Sequence, residues 1–514
     1  MLALAARVAD PFAEARAELD GLEAFLGSPE ACNMTHSDLE RELEKRGREL
    51  MRQLLQAPLQ VRGQGEAAEP VQGSDGVVRD EPRLHERGLE TIFGEVRVER
   101  AGYGAEGVDS LHPLDAKLNL PVEVYSHEVR RRAAEAAAQG SFNEVVHGLS
   151  QTTGAQVAKR QVEELVVRAA QDFQAFYHQR YEWRSPQETG SILVLTVDGK
   201  GVVMRREDLR EGTRKRAEEC QHKLRTRLSR GEKRNAKRMA TVAAVYTMAP
   251  QVRTAEQVLR CLAPRHERET LERPPPESKR VWASVQETPE EVIKEGFREA
   301  RLRDPEGRKR WVALVDGNET QLQILRKLFR RYGYYPLIVL DFAHVAEYVW
   351  KAGMALLGEG QAQLDTWATD HLLGVLRGRS GQMAAGMRRS ATRRGLAPET
   401  REAIDRCAHY LLKYARYLRY DEYLALGLPI ATGVIEGACR YLVKDRMERT
   451  GARWSLKGAE AVLRLRALWA SGDFEAYWAF HEKQEYLRNH AVRYADGQIV
   501  PMRGSPRPPL KRVK

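Results

Sequence analysis

Three short apolar runs in the middle of the chain each stop at an aspartate. They are Ser-Ile-Leu-Val-Leu-Thr-Val-Asp-Gly-Lys from Ser191 to Lys200, Trp-Val-Ala-Leu-Val-Asp-Gly from Trp311 to Gly317, and Leu-Ile-Val-Leu-Asp from Leu337 to Asp341. Such runs are too short for a globular helix, and unbroken apolar side chains fit a strand covered on both faces. The repetition predicts one sheet with an acidic cluster at one edge. Met239 to Met248 reads as a further strand, rich in Ala, Val and Tyr. Helical patterns separate the runs: Thr288-Pro289 with Glu291 is a capping box with proline at the first position, and Asn318 with Gln321 opens a helix carrying Leu322, Leu325, Leu328 and Phe329. His344 leads another through Tyr348 and Trp350. Strands alternating with helices describe an α/β sheet with helices packed on it.

Around this core the chain divides by pattern. Residues 1–60 carry two amphipathic helices, with Phe12, Leu19, Leu22, Phe25 and Leu26 on one and Leu39, Leu43, Leu50, Leu54 and Leu55 on the other, suited to packing or dimerisation. Residues 61–80 lack periodicity and read as a linker. In 81–185, Val96 and Val98 alternate with Glu95, Arg97 and Glu99, which predicts a small hairpin; Ser141 with Glu144 makes a capping box, and Thr152-Thr153-Gly154 makes a turn. The helix expected from Gln156 through Tyr181 presents Lys159 and Arg160 on its polar face. Helix, glycine turn and basic helix form a helix-turn-helix arrangement suited to DNA, although two packed helices alone fit the pattern too. Residues 186–350 hold the first part of the sheet domain, with Thr254 and Gln257 capping a short helix and Pro274 to Pro276 marking a linker. An all-helical insertion spans 351–430, the last part of the sheet domain spans 431–490, and 491–514 is a basic flexible tail.

Charge points to a partner. The net charge is +11 and the pI about 9.3, and the excess is uneven. The stretch 205–238 holds Arg214, Lys215, Arg216, Arg225, Arg227, Arg230, Lys233, Arg234, Lys237 and Arg238 with few large apolar residues. It cannot build a core, so it is a protruding arm or partly disordered loop whose natural partner is phosphate. The alternative is an exposed charged helix. The five cysteines are dispersed and never spaced Cys-x-x-Cys, so neither a disulfide framework nor a zinc ribbon is indicated. No apolar run reaches the roughly 20 residues of a membrane helix, and Asp10 and Glu14 follow the N-terminus too soon for a secretory signal. A cytoplasmic, nucleoid-associated location is expected, with no membrane partner.

Carboxylates gathered at one sheet edge repel one another, and their usual justification is a hard divalent metal. Two Mg²⁺ or Mn²⁺ ions about 3.5–4 Å apart activate a water or a 3′-hydroxyl and stabilise the leaving oxygen of a phosphodiester displacement. No glycine-rich phosphate loop of the Walker or dinucleotide type is present, so a metal-dependent nuclease or strand transferase is favoured over a metabolic enzyme.

Val197-Asp198-Gly199, Val315-Asp316-Gly317, Asp341-Phe342-Ala343-His344-Val345-Ala346-Glu347-Tyr348, Gly433-Val434-Ile435-Glu436-Gly437, Val443-Lys444-Asp445-Arg446-Met447, Thr450-Gly451 and Arg453-Trp454-Ser455 together resemble ISKra-type insertion-sequence transposases. The resemblance covers Arg87 to about Trp469. It implies a DDE enzyme: an α/β RNase H-like catalytic core with an all-helical insertion, preceded by a mainly helical DNA-binding region with a small β hairpin. Carried over, Asp198, Asp316 and Glu436 are the catalytic triad and the ligands of two Mg²⁺ (or Mn²⁺) ions. Asp341 and His344 match the Asp-x-x-His signature; Asp341 also ends a strand and is the alternative to Asp316 as second ligand, but Asp316 is preferred, and Asp341 is then a residue that orients the site or one that caps a helix. Arg440, Lys444, Arg446 and Arg453 are expected to hold phosphates, and Trp454 to stack on an unpaired base or to sit in the core. The partners implied are double-stranded DNA at terminal repeats and target sites, and at least a second copy of the chain. An RNase H-like nuclease or resolvase without strand transfer, and a non-catalytic DNA-binding protein of transposase ancestry, are the competing expectations.

Overall fold

The computed structural model describes residues 10–183, 189–220, 235–262, 274–360 and 362–503. The chain forms two units, Met1–Phe176 with Phe474–Lys514, and Tyr177–Asp473.

In the first unit, helices Ala13–Leu26, Pro29–Cys32 and His36–Val61 open the chain, with Ser28 and Thr35 as side-chain N-caps of the latter two. The segment expected to be a linker instead carries a hairpin of β1 (Val71–Gln72) and β2 (Val78–Arg79). Its last residue, Arg79, is buried and paired with Asp75, a tertiary match that composition does not reveal. The small hairpin is a three-stranded antiparallel sheet of β3 (Pro82–Thr91), β4 (Gly94–Ala105) and β5 (Val108–Leu111). Val96 and Val98 face inward and Glu95, Arg97 and Glu99 outward, as their alternation requires. Leu55 and Leu59 of the long helix pack on this inner face with Leu89, Val96 and Val98. Next come helices His127–Gln139, Phe142–Thr152 with its Ser141–Glu144 capping box, and Lys159–Ala169. Gly154 passes so close beneath the β3–β4 turn that a Cβ would lie 2.5 Å from the Phe93 carbonyl. The single helix expected from Gln156 to Tyr181 is broken after Ala169, and a new helix starts at Phe173.

Helix Phe474–Asn489 also belongs to this unit, which corrects the boundary at 490: Tyr477 donates its hydroxyl to Ala169 O at 2.6 Å. The first part of the expected flexible tail is ordered as well, since Ala68 N donates to Pro501 O and Arg503 N to Glu66 O.

The second unit is built on a five-stranded mixed sheet: β6 (Ile192–Val203), β7 (Lys237–Met248), β8 (Glu277–Ser284), β9 (Arg310–Val315) and β10 (Leu337–Leu340), in the order β10-β9-β6-β7-β8. β6, β7 and β8 are antiparallel, whereas β9 and β10 run parallel to β6. Ile192 to Val197 are all buried, consistent with cover on both faces. Helix Pro289–Arg303 lies over β6 and β7, where Gly296 permits the approach: a Cβ there would meet Leu195 at 2.7 Å. Helix Leu456–Ser471 lies along β8. Between β10 and Gly433 the chain is helical, with Phe342–Leu357, Ala362–Leu376, Ser380–Arg393, Pro398–Lys413 and Tyr420–Ala425.

β8 has no apolar signature. Its centre is Arg280, buried between Glu295 at 3.0 Å and Glu299 at 2.8 Å, with the guanidinium 3.4 Å above the Tyr177 ring centroid. A charged residue in mid-strand hides the strand from any reading of hydrophobic runs.

Candidate active site

The parallel register aligns the three aspartates. Thr196 pairs with Leu314, and Leu340 with Val315, so Asp198, Asp316 and Asp341 occupy one level across β6, β9 and β10. In parallel strands, residues at one level project to the same face. β6 does not end at Asp198: it continues to Val203 against β7, and Asp198 stands where its β9 neighbour has stopped.

Their surroundings differ. Asp341 is buried and held by three amides: Oδ1 accepts from Ala343 N at 3.2 Å and Thr432 N at 3.0 Å, and Oδ2 from His344 N at 3.3 Å. It caps helix Phe342–Leu357 and fastens the segment before Gly433 to the end of β10. Phe342 N, donating to Ile430 O at 2.8 Å, makes the second stitch. The His344 ring packs edge-on to Tyr348 and Tyr410. Asp198 and Asp316 are half-buried and keep open coordination. Asp316 accepts from Asn318 N at 2.9 Å; Asp198 accepts from Gly199 N at 2.6 Å and from the Cys439 thiol at 3.3 Å.

Glu436 sits on helix Gly433–Ala438, exposed, and accepts from the Thr432 hydroxyl at 3.1 Å. That helix widens directly into a π-helical stretch, Cys439–Lys444, whose Tyr441 and Leu442 carbonyls accept from Arg466. A π turn changes the direction of the side chains that follow it, and π-bulges cluster at functional sites. The Cys439 thiol is held in its protonated, donating form: burial raises its pKa, and Asp198 raises it further.

Burial also pushes the Asp198 carboxyl above the ordinary range, the Gly199 and Cys439 hydrogen bonds oppose this, and the Asp316 charge adds to the rise. Among the described residues, none of Asp198, Asp316 and Glu436 forms an ion pair. Other acids of this unit are matched: Glu295 and Glu299 by Arg280, Glu460 by Arg464, Asp473 by Arg180, and Asp304 by the Trp311 indole at 2.8 Å and two amides. The donors of the unmatched set are all carboxylate oxygens, which suits Mg²⁺ or Mn²⁺ better than zinc. Their oxygens do not gather within 4.8 Å of one another, unlike the two carboxylate oxygens and one ring nitrogen offered by Asp172, Glu485 and His481 in the first unit. That second group is an ion network: Arg130 reaches Glu485 at 2.6 Å and His481 at 3.0 Å, and Arg488 pairs with both acids. Two guanidiniums already balance its two carboxylates.

Several residues expected to meet DNA are committed elsewhere. Arg446 and Trp454 are buried, with the guanidinium 4.8 Å from the ring centroid and the indole N–H donating to Met447 O at 3.0 Å. They hold the helix behind Glu436 and present no face to a base. Arg238 donates to Val285 O and Asp208 O, and Lys237 lies 3.3 Å from Glu448. Arg440, Lys444 and Arg453 are exposed, and so are Lys159 and Arg160, the latter 3.2 Å from Glu164. Part of the basic arm is a helix, Glu211–Glu219, with Arg214, Lys215 and Arg216 exposed and no buried residue. Arg225, Arg227, Arg230, Lys233 and Arg234 lie outside the described residues.

Sequence reasoning missed Thr432, Cys439 and Tyr410. Thr432 and Cys439 stand four before and three after Glu436, a helical spacing that places them beside it. Tyr410 and Tyr414 show the same four-residue spacing within the helical insertion, which by itself indicates only a shared helix face. No protein-family model matches this chain, and no curated protein sequence matches it.

Proposed function

We propose that the chain is a DDE transposase with an RNase H-like core, cleaving and joining DNA at the ends of an insertion sequence. One observation carries the proposal: the parallel register brings Asp198 and Asp316, where the β6–β9 pairing ends, to one level, the Glu436 helix is stitched beside them through Asp341 and Thr432, and among the described residues none of the three acids has an ion-pair partner. The order β10-β9-β6-β7-β8, with β7 alone antiparallel to both neighbours, is that of RNase H-like cores and supports the fold reading.

Asp198, Asp316 and Glu436 would hold two Mg²⁺ or Mn²⁺ ions, which when bound supply an activated water or 3′-hydroxyl and stabilise the leaving oxygen. Asp198 is fixed for this task by the Gly199 amide and the Cys439 thiol, Asp316 by the Asn318 amide. Glu436, which here accepts from the Thr432 hydroxyl, would supply the third carboxylate. Asp341 positions the Glu436 helix, its two oxygens accepting from the Ala343, His344 and Thr432 amides. Exposed Arg440, Lys444 and Arg453, near Glu436 in sequence, are suited to phosphates, and the arm with Arg214, Lys215 and Arg216 adds a sequence-independent attraction. Joining two element ends requires at least two copies of the chain.

The test is incubation of the protein with duplexes carrying the terminal repeats that flank its own gene, with Mg²⁺, comparing wild type with Asp198→Ala and Glu436→Ala. Joined products are expected from wild type, and each variant should lose roughly 10³-fold or more, the scale on which removing an electrostatic catalytic group acts. Cleavage without joining would mean a nuclease or resolvase. Metal-independent binding without products would refute an enzymatic role.

A further inference from the structure

Four tyrosines of the helical insertion reach the carboxyl edge of the sheet. Tyr423 donates its hydroxyl to Ile338 O at 3.3 Å and Tyr420 to Leu340 O at 2.8 Å, both on β10, the strand at that end of the sheet. An edge strand leaves carbonyls without strand partners, and covering them with another element is one way proteins protect such edges. The other two tyrosines go further. Tyr410 donates to Asp316 O at 3.2 Å, and the Tyr414 hydroxyl lies 3.0 Å from Gly317 O and 3.2 Å from the Glu319 carboxylate, itself held by Lys413 at 3.0 Å. Asp316 and Gly317 follow the last residue of β9, where the ladder no longer fixes the backbone.

The fit is tight. Gly317 has a φ of +94°, a region that favours glycine, and a Cβ on it would lie 3.1 Å from the Tyr410 hydroxyl. Tyr410 and Tyr414 are both buried, and Tyr410 is stacked on Tyr348 at 4.5 Å between ring centroids. Each phenol is therefore restrained by ring packing, with its hydroxyl aimed at the turn that carries the second acid.

We propose that Tyr410 and Tyr414 are positioning residues for Asp316: the insertion fixes, through their hydroxyls, the backbone from which that carboxylate is presented to metal. The proposal rests on the reading of Asp198, Asp316 and Glu436 as a metal site. It gives the insertion a role within the site as well as on the sheet edge. Phenylalanine keeps the rings and removes only the donors, leaving the Asp316–Gly317 turn free to shift by the fraction of an ångström that loosens a coordination shell.

The experiment is a titration of the full-length protein with Mn²⁺, following free Mn²⁺ by electron paramagnetic resonance, alongside thermal melts without metal. Tyr410→Phe/Tyr414→Phe should weaken Mn²⁺ binding roughly 10- to 100-fold, the usual loss when a group supporting a ligand is removed. Tyr423→Phe, which removes a donor to β10 but not to the Asp316 turn, should titrate as wild type. Asp316→Asn should abolish the affected site. If the double variant binds Mn²⁺ like wild type while Asp316→Asn does not, the positioning role is overturned and the metal-site reading stands. If wild type binds no Mn²⁺, both are overturned. Should the double variant fail to fold, Tyr414→Phe alone carries the same comparison, and wild-type binding by it overturns the proposal.

Discussion

Three aspartates share one level of the sheet, yet two are open and one is closed. The strand patterns made all three legible as an acidic edge, but not their separate fates. Asp341 is closed by Thr432 N, which arrives from 91 residues away, and by two amides of the helix it caps. No local pattern encodes the long-range donor, so a sequence reading leaves the choice between orienting the site and capping a helix open; the structure shows the cap, and with it a bond to Thr432 that no helix cap requires. Another carboxyl under strain, Glu287, permits a sharp test. Its pKa is pushed up to about 6, first by burial and then by the charge of Glu460. Between the ordinary glutamate value of 4.5 and about 6 the folded chain holds more protons than the unfolded one, so stability is present below this window and is lost as pH rises through it. Glu287→Gln should therefore stabilise the protein by about 1–2 kcal/mol at pH 7.5 and by little near pH 4. Urea unfolding at both values measures this, and a gain that persists undiminished at pH 4 would exclude the carboxylate charge as its source.

Elements were legible where their signals are local. The capping boxes at Ser141 and Thr288 form as spelled, and β6, β9 and β10 lie where the apolar runs stand. β8 was not, because the residue at its centre is an arginine whose partners sit 15 and 19 positions further on, in the helix that crosses the sheet. Burial of Arg446 was equally hidden, since it depends on the packing around the widened helix after Glu436, whereas the core position of Trp454 was one of its two expected places. Arg280 links β8 to helix Pro289–Arg303 by ion pairs only 3% and at most 8% exposed at their side chains. Exchanging such a cluster for apolar residues can be neutral, whereas removing one partner strands the others. Arg280→Met leaves Glu295 and Glu299 without this cation and is expected to cost about 3–5 kcal/mol. Arg280→Met combined with Glu295→Leu should recover much of the loss, because Glu299 keeps Arg303 at 2.7 Å. Chemical denaturation of the two-residue variant beside the single one decides this; equal destabilisation of both would mean the cluster acts through packing alone.

At the scale of the whole molecule, the second unit keeps an electrostatic fault at the edge of its sheet. Burial, then the nearby Asp316 charge, hold the Asp198 carboxyl above its ordinary value, so its ionisation opposes folding. The sign follows: the folded pKa exceeds the unfolded one, stability is complete below the ordinary aspartate value of 3.8, and it is lost as pH rises through the raised value. At neutral pH the metal-free protein bears the full penalty. A site of this kind trades stability for function, and two opposite manipulations should relieve it. Asp198→Asn removes the charge and should raise the melting temperature of metal-free protein at pH 7.5, with no such gain at pH 3. Mg²⁺ neutralises the charge instead and should stabilise wild type by about 2.7 kcal/mol at one hundred times its dissociation constant. Because Asp198→Asn would also remove one of the proposed ligands, the Mg²⁺-dependent rise should largely vanish in that variant. Differential scanning fluorimetry across pH and Mg²⁺ concentration yields all four comparisons. A variant that melts below wild type without metal would show that the Asp198 carboxylate is a structural asset, and an undiminished response to Mg²⁺ in it would place the binding ion elsewhere.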